Sequence, residues 1–121
     1  MKILHIITNE GKAPLLDFLE TLEPKLRQKI IGQFLMLSKV PLPHEPIVKH
    51  FTIEKYNKLY ELRAKSKVMV RIIFTILDNN DILLLTPFIK KHKRNTMQSL
   101  DSSLKLLTLV NDGVCSLQEF Y

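Results

Sequence analysis

Cysteine, tryptophan and glycine are scarce in this chain: one Cys, no Trp and three Gly among 121 residues. A lone Cys115 excludes a disulfide framework and any thiolate-built zinc site, and it suits the reducing setting of a cytoplasmic protein. No Gly-rich phosphate loop, nucleophile elbow or Ser/His/Asp constellation is visible. Long apolar runs are missing too: the longest, Val68 to Leu77, is interrupted by Arg71 and falls short of the roughly 18 residues a membrane span needs. Met1 to Thr8 is too short for a secretory signal and lacks the small-residue cleavage pattern. His44 and His50 have no partner at ligand spacing, so neither a metal site nor a cofactor is expected. Repeats and low-complexity stretches are absent, and residues 1–121 are expected to form one domain.

What the chain does have is positive charge and short, well-patterned apolar segments. Eighteen Lys and Arg against twelve Asp and Glu leave a formal net charge of +6, with a sequence pI near 9.5. That balance favours an anionic partner, nucleic acid first, although it also serves solubility. Ile3, Leu4, Ile6 and Ile7 predict a first strand. Leu15, Phe18, Leu19 and Leu22 then recur at helical spacing after Pro14, and Leu26, Ile30, Ile31, Phe34, Leu35 and Leu37 recur after Pro24. A proline can open a helix because the first helical residue needs no N–H donor, so the pair predicts a helical hairpin. The prolines of Pro41-Leu42-Pro43-His44-Glu45-Pro46 then force an extended path.

The second half reads as three antiparallel strands, Leu59 to Ala64, Val68 to Leu77 and Ile82 to Lys90, separated by Lys65-Ser66-Lys67 and Asn79-Asn80. A last helix, Met97 to Val110, is expected to be capped by Asn95 with Gln98 and ended by Gly113. The tail from Val114 carries no clear signal. The expected fold is therefore α+β: a small antiparallel sheet with an N-terminal strand, a helical hairpin on one face, a basic cleft on the other, and a C-terminal helix.

Register follows from the turns. Val68, Val70, Ile72, Phe74 and Ile76 should face the hairpin, which sends Arg71 to the opposite face. A three-residue loop at 65–67 sets Glu61 against Arg71, with Arg63 beside Met69. A two-residue loop at 79–80 sets Phe88 against Arg71 and Lys90 against Met69. Towards the second turn that face becomes apolar again (Ile73, Leu77, Ile82, Leu84), which gives the last helix something to cover. Pro87 should cause a bulge or break, because it lacks a ladder donor.

The expected result is a basic cleft bordered by Lys65, Lys67, Lys91, His92, Lys93 and Arg94. An Arg fork suits phosphate oxygens, and Phe88 or Tyr60 offers a surface for base stacking. His92 is the one candidate there for acid–base work near neutral pH. A plainer account stands beside this one: Glu61–Arg71 as a surface ion pair worth about 0–1 kcal/mol, and Lys90 to Arg94 as the solvated end of a strand. His5 reads as a structural histidine, and Asp78 and Asp81 as turn formers.

Leu59-Tyr60-Glu61-Leu62-Arg63, then Arg71-Ile72-Ile73-Phe74, then Ile82-Leu83-Leu84-Leu85 with Phe88-Ile89-Lys90-Lys91, resembles the RelE/ParE toxin superfamily, with the closest likeness to its HigB-like, phage-related branch. The Asp17-Phe18-Leu19 helix and the Ile47 to Phe51 approach to the strands are similar as well. This resemblance spans roughly Leu15 to Val110. It implies a toxin of a type II toxin–antitoxin system, held by an antitoxin of helix-turn-helix type. It also implies an endoribonuclease that works at the ribosome on mRNA, without metal, through attack of the RNA's own 2′-hydroxyl. By position, Arg71 matches the arginine that contacts the scissile phosphate, Arg63 and Lys91 match basic positions, and His92 and Lys93 match more loosely. Glu61, Lys65, Lys67, Phe88, Lys90 and Arg94 complete the implied RNA-binding set. The superfamily also contains gyrase-inhibiting ParE-like toxins, and an inactive nucleic-acid- or partner-binding remnant is the third alternative. Pro87 departs from the His or Gly common among relatives, and no C-terminal aromatic aligns with the tyrosine that some of them use.

Overall fold

β-branched and leucine residues at alternate positions build the longer strands of a six-stranded sheet, and two helical apolar stripes cover it. The computed structural model describes residues 1–39, 42 and 44–121. Strand β1 (Ile3–Ile7) leads into α1 (Pro14–Glu20) and α2 (Pro24–Leu37), each with proline in its first turn. Strands β2 (Val48–His50), β3 (Leu59–Lys65), β4 (Met69–Ile76) and β5 (Ile82–Ile89) follow. Helix α3 (Lys93–Asn111) and β6 (Ser116–Glu119) close the chain. The sheet order is β2-β3-β4-β5-β1-β6, antiparallel throughout except where β1 runs parallel to β5. The expected α+β layout holds. Pro41 and Pro43 of the expected extended path lie outside the described residues. Among the described residues no helix is long and apolar enough to cross a membrane.

Period-2 alternation splits the core in two. Leu15, Leu19, Leu26, Ile30, Phe34 and Leu37 of the hairpin pack on Leu62, Ala64, Val70, Ile72, Phe74, Ile82 and Leu84. On the other face Leu100, with Leu104, Leu107 and Val110, packs on Ile73, Leu83, Leu85, Leu59 and Ile6. Each fully buried Leu, Ile or Phe contributes about 1.5–3 kcal/mol, so both layers are needed to hold the sheet. Ile82 and Leu84 thus lie under the hairpin, and Leu83 and Leu85 replace them beneath α3.

Two turns explain that correction. The second connection is a three-residue loop, Asp78–Asn80: Leu77 N donates to Asp81 O at 2.8 Å, and Asn80 adopts φ 70°. Ile76 therefore pairs with Ile82, not with the residue a two-residue loop would select. Further along, the register shifts between Ile73 and Phe74, leaving Leu85 as the extra residue of a bulge. Beyond it Arg71 pairs with Phe88, as expected. The bulge cancels the effect of the longer turn. It sits at Leu85 and not at Pro87, which pairs with Ile72. Lys90 N donates to Met69 O. Strict alternation from there points the Pro87 nitrogen away from β4, and β1 pairs only with Ile82–Leu84, so no ladder bond is lost.

The first turn spans Ser66–Val68, with Ser66 N donating to Val68 O and Lys65 paired with Met69. This moves the β3–β4 register by two residues. Helix α3 begins at Lys93, four residues earlier than expected. Its N-cap is His92 and not Asn95, which becomes the third helical residue. Asn95 Oδ1 reaches back to accept the N–H groups of Lys91 (2.8 Å) and His92 (3.0 Å), while Gln98 is exposed and takes no part. Gly113 ends the helix at φ 75°: its N–H meets Val110 O, and that of Val114 meets Leu109 O. The tail is a strand after all. β6 pairs with β1, Phe120 packs edge-on to Phe34 at 5.1 Å, and the Tyr121 hydroxyl donates to Ile31 O.

Candidate nucleic-acid interface

Register places three cross-strand rows on the face turned away from the hairpin: Glu61–Ile73–Thr86, Arg63–Arg71–Phe88, and Lys65–Met69 with Lys90 beyond. The expected Glu61–Arg71 pairing is corrected: Glu61 faces Ile73, and Arg71 faces Arg63. A slip of two residues keeps every side chain on its face, whereas a slip of one would have reversed them all. Glu61 and Arg71 therefore still share the face opposite Ile72 and Phe74.

Helix α3 closes the first row. Ile73 and Glu61 are buried, and Ser103 Oγ donates to Thr86 Oγ1 at 2.7 Å. The second and third rows stay open: Lys65 and Met69 are exposed, and Arg63, Arg71, Phe88 and Lys90 are half-buried.

Glu61 anchors the electrostatics. Its side chain is 1% exposed, and Oε1 accepts the Arg63 Nε–H at 2.9 Å. Arg71 Nε stands 4.0 Å from the same oxygen and makes no hydrogen bond, and Glu61 Oε2 has no partner among the described residues. Arg71 reaches the other way, Nη2 donating to Met69 Sδ at 3.9 Å. Burial pulls the Arg71 guanidinium below its ordinary pKa, Glu61 opposes that pull, and neighbouring Arg63 adds to it. A guanidinium nevertheless stays protonated in proteins. Two cations therefore stand directly opposite each other over one carboxylate, an arrangement that costs stability until an anion joins it.

A groove of about 570 Å³ runs from these guanidinium groups to the sheet edge, lined by Arg63, Lys65, Met69, Arg71, Gln33 and Ile47 among others. Helix α2 shapes it. Lys29 Nζ donates to Lys65 O (2.8 Å) and Gln33 Nε2 to Arg63 O (3.2 Å), which completes the β3 ladder where β2 ends. These i, i+4 donors escaped the sequence reading because nothing in a helical pattern marks a side chain that caps a distant strand. Lys49 was missed as well. It lies directly across from Glu61, on the same face, with Nζ 5.4 Å from the Phe51 ring centre. The signal was the extended Ile47 to Phe51 run, whose pairing partner had not been identified.

Other expected members lie elsewhere. Lys67 lines a separate hollow with Leu22, Leu26 and Ile89, beside the α1–α2 turn. Tyr60 is on the hairpin side, stacked between His50 (4.4 Å) and Phe74 (5.3 Å), and offers no base platform in the cleft. Lys91, His92, Lys93 and Arg94 form an exposed run from the end of β5 into the first turn of α3, with His92 as the residue that opens the helix. His5 is buried in β1 beside Phe120.

Residues 17–107 match the model of a family described as phage-derived Gp49-like protein (DUF891). The matched stretch contains all three rows, Lys29, Gln33 and the start of α3. No curated protein matches the chain.

Proposed function

Because the chain belongs to the Gp49-like phage-derived family, which is related to the RelE/ParE-like toxin superfamily, we propose that it is the toxin of a type II toxin–antitoxin pair and cuts mRNA at the ribosome, as in the HigB-like branch. The observation that carries this reading is the directly opposed Arg63–Arg71 pair on an open sheet face, with a buried carboxylate satisfying only the first. Such a pair is unstable on its own and suited to a phosphodiester, whose two free oxygens accept from both forks.

In this mechanism the RNA backbone crosses the second row. Arg63, tethered by Glu61, fixes one phosphate oxygen, and Arg71 meets the other. When the 2′-hydroxyl attacks, negative charge builds on the phosphorane, and Arg71 gains strength because its strand holds it in place beforehand. Phe88, next in the row, supports a flanking base, while Lys65, Lys90 and Lys49 track the neighbouring phosphates. Lys91 and His92, at the rim, are the groups proposed to move the protons, with Lys93, Arg94 and Lys67 adding outer attraction. The implied antitoxin would bind this chain and keep it off the ribosome.

Induced expression in a bacterium, with mapping of mRNA 5′ ends, tests the proposal. Growth arrest with new ends inside translated codons supports it. A DNA-damage response with filamentation points instead to a gyrase-binding toxin, and unaltered growth points to an inactive binding remnant.

A further inference from the structure

Chain geometry makes Met69 more than a spacer between Lys65 and Lys90. Its side chain is 37% exposed at the mouth of the groove, and its sulfur is the acceptor that Arg71 Nη2 addresses. Met1, Met36 and Met97 are exposed to a similar degree, but among the described residues none of their sulfurs has a hydrogen-bond partner. Resting on the RNA reading of this site, we infer that Met69 is an oxidation-sensitive modification site through which a peroxide silences the Arg71 fork.

The chemistry is a two-electron oxygen transfer. The sulfur lone pair attacks a peroxide oxygen, the O–O bond breaks, an S–O bond forms and water leaves; sulfur is oxidised and the peroxide reduced. A thioether is a weak acceptor, so in the reduced protein Arg71 exchanges its contact with Met69 for a phosphate at little cost. A sulfoxide is a strong polar acceptor. Its oxygen projects from the sulfur that Arg71 already faces, at 3.9 Å, and so comes within ordinary hydrogen-bond reach of the guanidinium. Arg71 then holds an internal partner that competes with the RNA. Glu61 Oε1 stands 4.0 Å from Arg71 Nε without a hydrogen bond, so the sulfoxide oxygen competes with a long ion pair and not with a formed hydrogen bond. Methionine sulfoxide reductases reverse the change, which makes it a switch and not merely damage.

The test oxidises the full chain with dilute hydrogen peroxide, confirms by mass spectrometry that Met69 has gained one oxygen, and measures binding of a fluorescent single-stranded hexaribonucleotide. Affinity should fall about tenfold or more, return after methionine sulfoxide reductase treatment, and stay unchanged by peroxide in Met69→Leu. Leu conserves volume at an exposed strand position, so that variant should fold. Met69 oxidised with affinity unchanged, or an equal loss in Met69→Leu, overturns the inference. A second readout is independent of RNA: the Arg71 side-chain N–H signals in a nitrogen-15 spectrum should shift and exchange more slowly after oxidation of the parent. Unmoved signals overturn the switch even if RNA binds. An untreated chain that binds no RNA overturns the functional reading on its own, and the spectrum still decides the contact.

Discussion

Arg63 and Arg71 stand directly opposite each other on β3 and β4, and Glu61 holds the first at 2.9 Å while leaving the Nε of the second without a hydrogen bond. That asymmetry separates the roles of the two arginines. Arg63 is a tethered, partly neutralised cation, whereas Arg71 makes no hydrogen bond to the carboxylate and addresses the Met69 sulfur instead. Phe88 extends the same row, and α3 seals the row beneath it.

Arg71→Ala should keep the fold, because it relieves like-charge repulsion and removes a side chain that belongs to neither core cluster. Thermal denaturation should show a midpoint equal to or above that of the parent. A large fall would mean that Arg71 is a structural member of the Glu61 pair.

Glu61→Gln should be the costly substitution. It leaves two cations without their carboxylate beneath α3, and about 1–3 kcal/mol of stability should be lost in urea titration. The double variant Glu61→Gln/Arg63→Gln should recover part of that loss, since the two groups are coupled. Strict additivity would show that the 2.9 Å contact contributes nothing.

Much of this was legible in the sequence, and the failures have physical causes. Alternation in β4 put Arg71 on the open face with no knowledge of register, because face depends only on parity. Pairing depends on where a loop starts and how long it is. The first turn has the expected three residues but begins one residue later, at Ser66. Nothing in Asn79-Asn80 distinguishes a two-residue from a three-residue turn until Asn80 is seen at positive φ. Leu85 as a bulge could not be read from a run of four apolar residues. β6 was invisible because all four of its residues are exposed and give no periodic signal. Within the candidate site, the shared face of Arg71, Arg63, Glu61 and Phe88 was legible from the strands. Lys49 and the α2 donors needed tertiary structure, and Tyr60 was misplaced because its side of β3 was not followed through.

Binding of single-stranded RNA should weaken with salt at a log–log slope of roughly −3 to −4, as expected for about four to six phosphate contacts. Fluorescence anisotropy at several ionic strengths measures it. A slope near zero would remove the basic rows as the docking surface.

Burial holds the His5 imidazole below its ordinary pKa of 6.5, the nearby Ile6 backbone opposing only in part. The unfolded chain therefore takes up this proton at a higher pH than the folded one. Its effect on stability is absent well above pH 6.5, and stability falls as pH drops below 6.5 towards the lower, folded-state pKa. Urea midpoints at pH 7.5 and pH 5 should differ in that direction, and His5→Leu should shrink the difference. An unchanged difference in the variant would assign the pH dependence to other groups.

Cleavage by the purified chain of mRNA on programmed ribosomes, with Arg71→Ala alongside at equal concentration, is the most direct test. Removing a preorganised donor to a developing oxyanion costs about 10²–10³ in rate. The parent should therefore cut the message, and Arg71→Ala should do so at least a hundredfold more slowly while binding ribosomes comparably. Equal rates for the two proteins, or no cutting by the parent, would contradict Arg71 as the residue that meets the phosphorane.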